Sequence, residues 1–489
     1  MHISELTPLL PELALASLGL VLLIVEAFTK TRKEIVAGLA LLGAFAALFS
    51  LKFVAFGDVF GGMFISDGYS IFFKLIFSVN LILSILISVR YLKAEDSFHG
   101  EYYCLLVFST CGMMVMASAG NLITLYLGLE LMALSTYVLA GFIRHDGKST
   151  EAAVKYFLTG GFSTALLLYG ISLVYGVTGS MDLGTIAGYC AVHDLSGNPM
   201  ASLALGLMAS AFAFKIAAVP FHMWAPDVYE GAPTPVTAFM SIGPKAAGFA
   251  VLGRVFYYTF GHLTVEWSVI LTALSILTMC VGNVMALVQT NIKRMLAYSS
   301  IAHAGYALIG IIAATPEGIS AAMNYLLIYM FMNIGAFSVV LMLNTKGTRG
   351  LQISDYAGLG RTHPLLGVAM LVFMFSLTGI PPMAGFIGKF YVFMSAVRSG
   401  YLWLAVLAVI FSVISAFFYL RVVMYMYMKE PEKPDAGGVP DEGVEPANSN
   451  ALIVSIAVTA TFVLMIGIMP GRFIEFAKAA VAAVKILSQ

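Results

Sequence analysis

AFAFKIAAVPFHMWAPDVYEGAPTPVTAFMSIGPK, residues 211–245, decides what kind of chain this is. Lys215 stands inside an apolar run, Pro220 interrupts that run five residues later, and a new apolar run carries Lys245. An ammonium at bilayer depth costs ~2.5–3.5 kcal/mol on insertion scales. Two of them beside a helix break imply that the rest of the chain shields them from lipid.

The surrounding composition agrees. Of 489 residues, 60% are hydrophobic and only 11% charged, against about 25% charged in a soluble domain. With a mean hydropathy of +0.92, this is an all-α polytopic membrane protein. A formal net charge of zero gives no reason to expect nucleic acid as a partner. Cys104, Cys111, Cys190 and Cys280 have no metal-ligand spacing and read as packing residues. No basic segment precedes the first apolar run, which therefore reads as a retained helix.

A spanning helix needs ~20 apolar residues. Fourteen candidate spans follow: 9–28, 35–56, 68–92, 101–119, 121–143, 150–178, 201–224, 233–258, 264–289, 294–312, 318–344, 363–397, 401–428 and 449–469. Gly120 and Asn121 alone separate the fourth run from the fifth, so those two should form a tight antiparallel hairpin. Residues 179–200 read as a long loop and 429–448 as a flexible cytoplasmic linker rich in Pro, Gly and acids. Beyond Pro470, Arg472, Lys478 and Lys485 punctuate apolar residues, which suggests a short interfacial helix.

Loop charge sets the orientation. Basic residues follow the odd-numbered runs: Lys30, Arg32 and Lys33; Arg90 and Lys93; Arg144 and Lys148; Lys293 and Arg294; Lys346, Arg349 and Arg361; Lys429 and Lys433. The loops after the second, fourth, sixth and tenth runs have none, 225–232 has acids only, and the C-terminal tail runs mildly against the rule. Both termini are expected outside.

Several charges are out of place for lipid. Glu130 falls roughly 14 Å into the fifth run and Lys245 roughly 18 Å into the eighth, at 1.5 Å per residue. Lys389 follows a second break, Ile380-Pro381-Pro382, in a run that would span ~52 Å if straight, so the seventh and twelfth runs are expected to be discontinuous. Three lysines share one obvious acid, which favours a proton relay over a structural ion pair. Lys155, His222, His303 and Asp227 are open between proton-carrying and structural roles. Lys74 and Arg254, near helix ends, read as snorkelling to the interface, as do Glu26 and Arg421. Gly147-Lys148-Ser149 mimics the end of a phosphate loop, but Phe142 occupies the place of its first glycine. No dinucleotide, haem or metal motif is evident, so no redox centre or metal is expected in this chain.

Helix counting suggests an internal repeat. After 1–100, blocks 101–260 and 261–428 hold five runs each, with a proline break and a lysine in the fourth. An odd number of crossings inverts the second block relative to the first. Residues 449–489 add the last span and the tail.

LGLELMALSTYVLAGF (127–142), KYFLTGGFSTALLLYG (155–170), AFKIAAVPFHMWAPDVYEGAPTPVTAFMS (213–241), NIKRMLAYSSIAHAGYALIG (291–310) and GIPPMAGFIGKFYVF (379–393) resemble the antiporter-like subunits of respiratory complex I over nearly the whole chain. VYEGAPTP and the lysine of SIGPKAAGF fit the N branch of that family better than its L and M branches. The resemblance implies fourteen helices in two inverted five-helix repeats. It implies a proton-conducting axis of Glu130, Lys215, Lys245 and Lys389, with Lys155 as a further candidate. It also implies work inside an NADH–quinone translocase whose NAD, FMN, iron–sulfur clusters and quinone belong to other subunits. An Mrp-type cation/proton antiporter subunit, a membrane subunit of a related hydrogenase or dehydrogenase, and a passive scaffold are the alternatives. If Glu130 came within 4 Å of Lys215, the pair would gain ~4 kcal/mol at an effective dielectric of 20, enough to switch a lysine between loaded and empty.

Overall fold

The computed structural model describes residues 3–28, 33–344, 350–430 and 449–484. Each of the fourteen expected apolar runs contains a helix. The chain opens with α1 (Leu10–Phe28) and α2 (Lys33–Ser50), followed by a two-stranded ribbon, β1 (Gly57–Val59) and β2 (Phe64–Ser66). Then come α3 (Gly68–Ala94), α4 (Glu101–Ala117), α5 (Leu122–Ala140), α6 (Gly147–Thr178), α7 (Leu183–Val192), α8 (Pro199–Lys215), α9 (Trp224–Gly231) and α10 (Thr234–Leu252). The second half holds α11 (Thr264–Leu287), α12 (Ile292–Ile312), α13 (Pro316–Leu343), the single turn α14 (Leu359–Thr362), α15 (Pro364–Thr378), α16 (Ala384–Arg398) and α17 (Leu402–Met428). It ends with α18 (Asn450–Ile468) and α19 (Gly471–Ala482). Eleven helices among the described residues are long and apolar enough to cross a membrane, and α4, α8 and α15 are shorter apolar helices.

Burial sorts these helices into shell and centre. α10, α12 and α13 are buried along their whole apolar windows, whereas α1, α2, α6, α17 and α18 turn large apolar side chains outward. Lys245 and His303 therefore sit on central helices. The expected hairpin forms: α4 and α5 pack along their length, and Gly112 and Gly128 lie so close that a methyl group on either would strike the opposite backbone at 2.6 or 2.9 Å. Small residues allow this approach where lipid supplies no hydrophobic drive between helices.

The seventh and twelfth runs are broken as expected. α8 stops at Lys215 and helix resumes only at Trp224; α15 stops at Thr378 and α16 begins at Ala384. Left-handed residues end the first halves, Ala217 at φ 58° and Gly379 at φ 91°, and cis peptides precede Pro220 and Pro382.

Four expectations need correction. The presumed loop 179–200 contains α7, whose N-cap Asp182 accepts from the Thr185 amide at 2.7 Å; ten apolar residues were too few to register as a span. The second run stops at Ser50 rather than 56, where a single tight turn and the ribbon take over. Lys74 does not snorkel: its ammonium is fully buried 2.8 Å from Glu12 of α1. Nor does Arg254, which is buried against both Asp67 carboxylate oxygens at 3.0 and 3.1 Å and against the Ala117 carbonyl. Their acids lie on other helices, out of reach of a reading that takes each span alone. Glu26 receives the Gly100 amide at 3.1 Å, and Arg421 donates to the carbonyls of Leu287 and Gln289 at the end of α11.

The helix expected after Pro470 is α19, which buries Ile474, Ala477, Ala480 and Val481 against the bundle. The linker from residue 431 to 448, and the loop charges Lys30, Arg32, Lys346, Arg349, Lys433 and Lys485, lie outside the described residues.

Candidate functional site

Glu130 sits in the ninth position of α5, with Asn121 capping the helix through the Ile123 amide. Its Oε1 accepts from Thr164 Oγ1 of α6 at 2.8 Å. No ion pair joins it to Lys215. The Lys215 ammonium, 3% exposed, lies 3.5 Å from the Tyr137 hydroxyl and within 6 Å of the Tyr137 and Phe214 rings. The acid and the amine are thus held apart, each by a neutral hydroxyl.

Lys245 is equally buried, in the middle of α10. It donates to the Ser300 carbonyl at 2.9 Å and the Ser300 hydroxyl at 2.6 Å, with the Tyr229 ring 5.7 Å away. Gly248, one turn on, is pressed against Ile216 just beyond Lys215, which brings the two lysine-bearing elements together. A cavity of about 10 Å³ lies between Lys245, Ser300, His303, Tyr325 and Tyr329, the room of a single water. His303 continues the line: its Nδ1 meets the Tyr325 hydroxyl at 2.6 Å and its Nε2 the Tyr419 hydroxyl at 3.0 Å. Tyr419 also bonds Ser299.

Lys389 closes the line on α16. It donates to the Leu377 and Thr378 carbonyls at 3.1 and 2.8 Å and to Ser412 Oγ at 2.8 Å, under the Tyr306 ring. Those carbonyls are orphans of the broken helix, and a cation at a helix C-terminus is favourable. Lys215 and Lys389 share a kind of helix but not a position: one ends the first half of its broken helix, the other lies in the second half. Neither Lys215, Lys245 nor Lys389 has a carboxylate within ion-pairing distance among the described residues. Lysine, histidine and tyrosine all exchange protons, so hydroxyls and single waters can link such a line.

The remaining candidates fall elsewhere. Lys155 is half-exposed and pairs with Glu151 at 2.7 Å and Asp227 at 2.8 Å. Asp227 also takes Arg294 at 2.9 Å, tying α9 to both α6 and α12. His222 lies in the turn between α8 and α9, 9% exposed, with Nδ1 unpartnered. Sequence reasoning missed Thr164, Tyr137, Ser300, Tyr325, Tyr419 and Ser412, because hydroxyls in apolar runs carry no signal of their own. It also read Lys293 only as a loop charge. Lys293 is buried and donates to the Glu230 and Ala232 carbonyls at the end of α9, at 2.9 and 2.8 Å. No cluster of metal-ligating side chains occurs among the described residues.

Fold and site together define a polytopic helical membrane subunit of the antiporter-like class, with buried amines strung between two broken helices. The profile of the family described as NADH:quinone oxidoreductase/Mrp antiporter, TM, matches residues 119–415. NADH-quinone oxidoreductase subunit N of Trichlorobacter lovleyi is 48% identical over 98% of this chain and 97% of its own length; that of Rhodospirillum rubrum is 44% identical over 99% and 98%. The chain belongs to the NADH-quinone oxidoreductase subunit N family. Among solved structures, a chain of respiratory complex I from Thermus thermophilus with bound aureothin superposes with a TM-score of 0.80 at 35% identity, over 96% of this chain and 99% of that one. A chain of the Mrp complex from a Dietzia species gives 0.82 at 22% identity, over 100% and 98%, a likeness of fold.

Proposed function

We propose that this chain is the proton-translocating membrane subunit N of an NADH–quinone oxidoreductase, and that Glu130, Lys215, Lys245 and Lys389 form its relay. NAD, FMN, iron–sulfur clusters and quinone are assigned to other subunits of that complex. The observation that carries the relay is the line itself. Three ammonium groups, each under 5% exposed, have no carboxylate within ion-pairing distance among the described residues; Ser300, the His303–tyrosine cluster and space for one water lie beside Lys245, and the Tyr306 ring touches both His303 and Lys389. A structural role would call for paired charges, as at Glu12–Lys74 and Asp67–Arg254. In this conformation Glu130 rests on Thr164 and Lys215 on Tyr137; its movement toward Lys215 would load that lysine, and its return would release the proton toward Lys245. His303 carries protons between Lys245 and Lys389. His222 and Lys155, with Asp227, serve the cytoplasmic side.

Fourteen spans in two inverted five-helix repeats, with both termini outside, complete the reading. Paired joints support the repeat. Asn121 bridges Asp182 just before α5, and Asn291 bridges Gln352 just before α12. Glu130 and Ser300 each stand nine residues past those asparagines. Relatives at 41–48% identity bearing the subunit N name favour this reading over a free-standing antiporter subunit. Glu130→Ala or Lys215→Ala should abolish most NADH-driven proton pumping in reconstituted vesicles while NADH oxidation by an artificial acceptor continues. Full coupled pumping in both variants would reject the relay.

A further inference from the structure

At one end of the bundle the start of α13, the end of α16 and the face of α19 line a cavity of mixed polarity, about 470 Å³. Three charged side chains line it, one from each helix: Glu317, Arg398 and Lys478. None of the three is ion-paired in the described structure. On its wall is Asn324, 2% exposed, with its Oδ1 lacking any hydrogen-bond partner. A buried amide oxygen left unpaired costs about 1–3 kcal/mol, so something that donates N–H or O–H belongs there.

The cavity does not end in water alone. Phe390 and Met394 line it and also line an apolar groove of about 630 Å³ between α16 and α17. That groove is walled by side chains such as Val406 and Val409 and reaches Lys389. A chamber holding two cations and an acid, joined through two apolar residues to an outward-facing apolar groove, has the layout of an amphiphile. The sizes fall in the range of ordinary ligand sites.

We propose that this is a binding site for one glycerophospholipid with an ethanolamine head group. Arg398 and Lys478 hold the phosphate, since guanidinium and ammonium donors make the strongest bonds to it. The lipid's primary ammonium donates to Asn324 Oδ1, a role a quaternary choline nitrogen cannot fill because it has no N–H. Glu317 disfavours a head group that is anionic without a compensating ammonium. One acyl chain occupies the groove and seals Lys389 from the open bilayer. The site goes beyond the relay and does not depend on it, because its evidence is the cavity, its charges and the orphaned amide.

The test uses the whole complex, purified in detergent, stripped of lipid, and re-equilibrated with vesicles of dioleoyl-phosphatidylethanolamine or dioleoyl-phosphatidylcholine. Native mass spectrometry of the released chain counts the lipids retained. The wild type is expected to keep one phosphatidylethanolamine, and phosphatidylcholine to be kept roughly tenfold less, as for loss of a single good hydrogen bond. Arg398→Gln with Lys478→Gln, both exposed positions, should reduce retention at least about tenfold; Asn324→Leu should erase the preference between the two lipids. Soluble glycerophosphoethanolamine at equal concentration should not compete. Undiminished retention in the double variant, equal retention of choline lipid by the wild type, or an unchanged preference in Asn324→Leu would overturn the assignment. Effective competition by the soluble head group would show that a free phosphoester, not a lipid, is the occupant.

Discussion

Thr164→Val tests the switch without touching any charged group. Thr164 Oγ1 donates to Glu130 Oε1 at 2.8 Å, and valine keeps the shape while removing the hydroxyl. A hydrogen bond to a charged group contributes ~1.5–3 kcal/mol. Losing it biases Glu130 toward Lys215 by the same amount, roughly a 10- to 150-fold change in the ratio of the two positions. If pumping requires Glu130 to let go of Lys215 in each cycle, the carboxylate would linger on the lysine and coupled turnover would fall. NADH-driven quenching of a pH-sensitive dye in reconstituted vesicles reads the pumping, and NADH–ferricyanide activity confirms that the complex is assembled. Thr164→Ser, which retains the donor, should pump nearly as the wild type does. Normal coupled pumping in an assembled Thr164→Val complex would refute the idea that Thr164 holds Glu130 in its released position.

Two further outcomes concern the frame around the proposed relay. Asp67→Ala leaves the Arg254 guanidinium buried with only the Ala117 carbonyl and the Tyr69 ring for company, so the bundle should lose ~3–5 kcal/mol; thermal unfolding of the purified complex, or its yield, reads this, and an unshifted midpoint would contradict it. Gly385→Ala drives a methyl carbon into the Ser376 carbonyl oxygen, so α15 and α16 must separate at their break, at a cost of at least ~1–3 kcal/mol. Both assembly and pumping should drop, and a fully assembled, fully active variant would show that the joint is looser than drawn.

Much of the scaffold was legible because its signals are local. Runs of about twenty apolar residues mark helices, and Pro220 and the Pro381-Pro382 pair mark the breaks. Lys215, Lys245 and Lys389 stood out because an ammonium in an apolar run is rare. What stayed hidden depends on partners distant in sequence. Lys74 and Arg254 read as interfacial in the sequence because Glu12 and Asp67 meet them only after folding, across 62 and 187 residues. The hydroxyls that neighbour the amines, from Tyr137 to Ser412, look like any others in an apolar helix. Lys155 shows the reverse: a lysine open to a proton-carrying role, in the ninth position of α6, reaches Asp227 and Glu151 at a half-exposed surface. Helix α7, too short for a span and bounded by loop-like residues, has a hydropathy that no window of membrane length can detect.

In the proposed relay Lys245 is the pivot, held by Ser300 on one side and facing the small cavity and His303 on the other. Proton pumping per electron, measured in vesicles containing the complex with Lys245→Met, addresses it most directly. The expected result is a ratio well below that of the wild type with NADH–ferricyanide activity intact, since methionine fills the space but carries no proton. A ratio equal to the wild type's, in a complex shown to be fully assembled, would mean that protons do not travel along the buried amines of this chain.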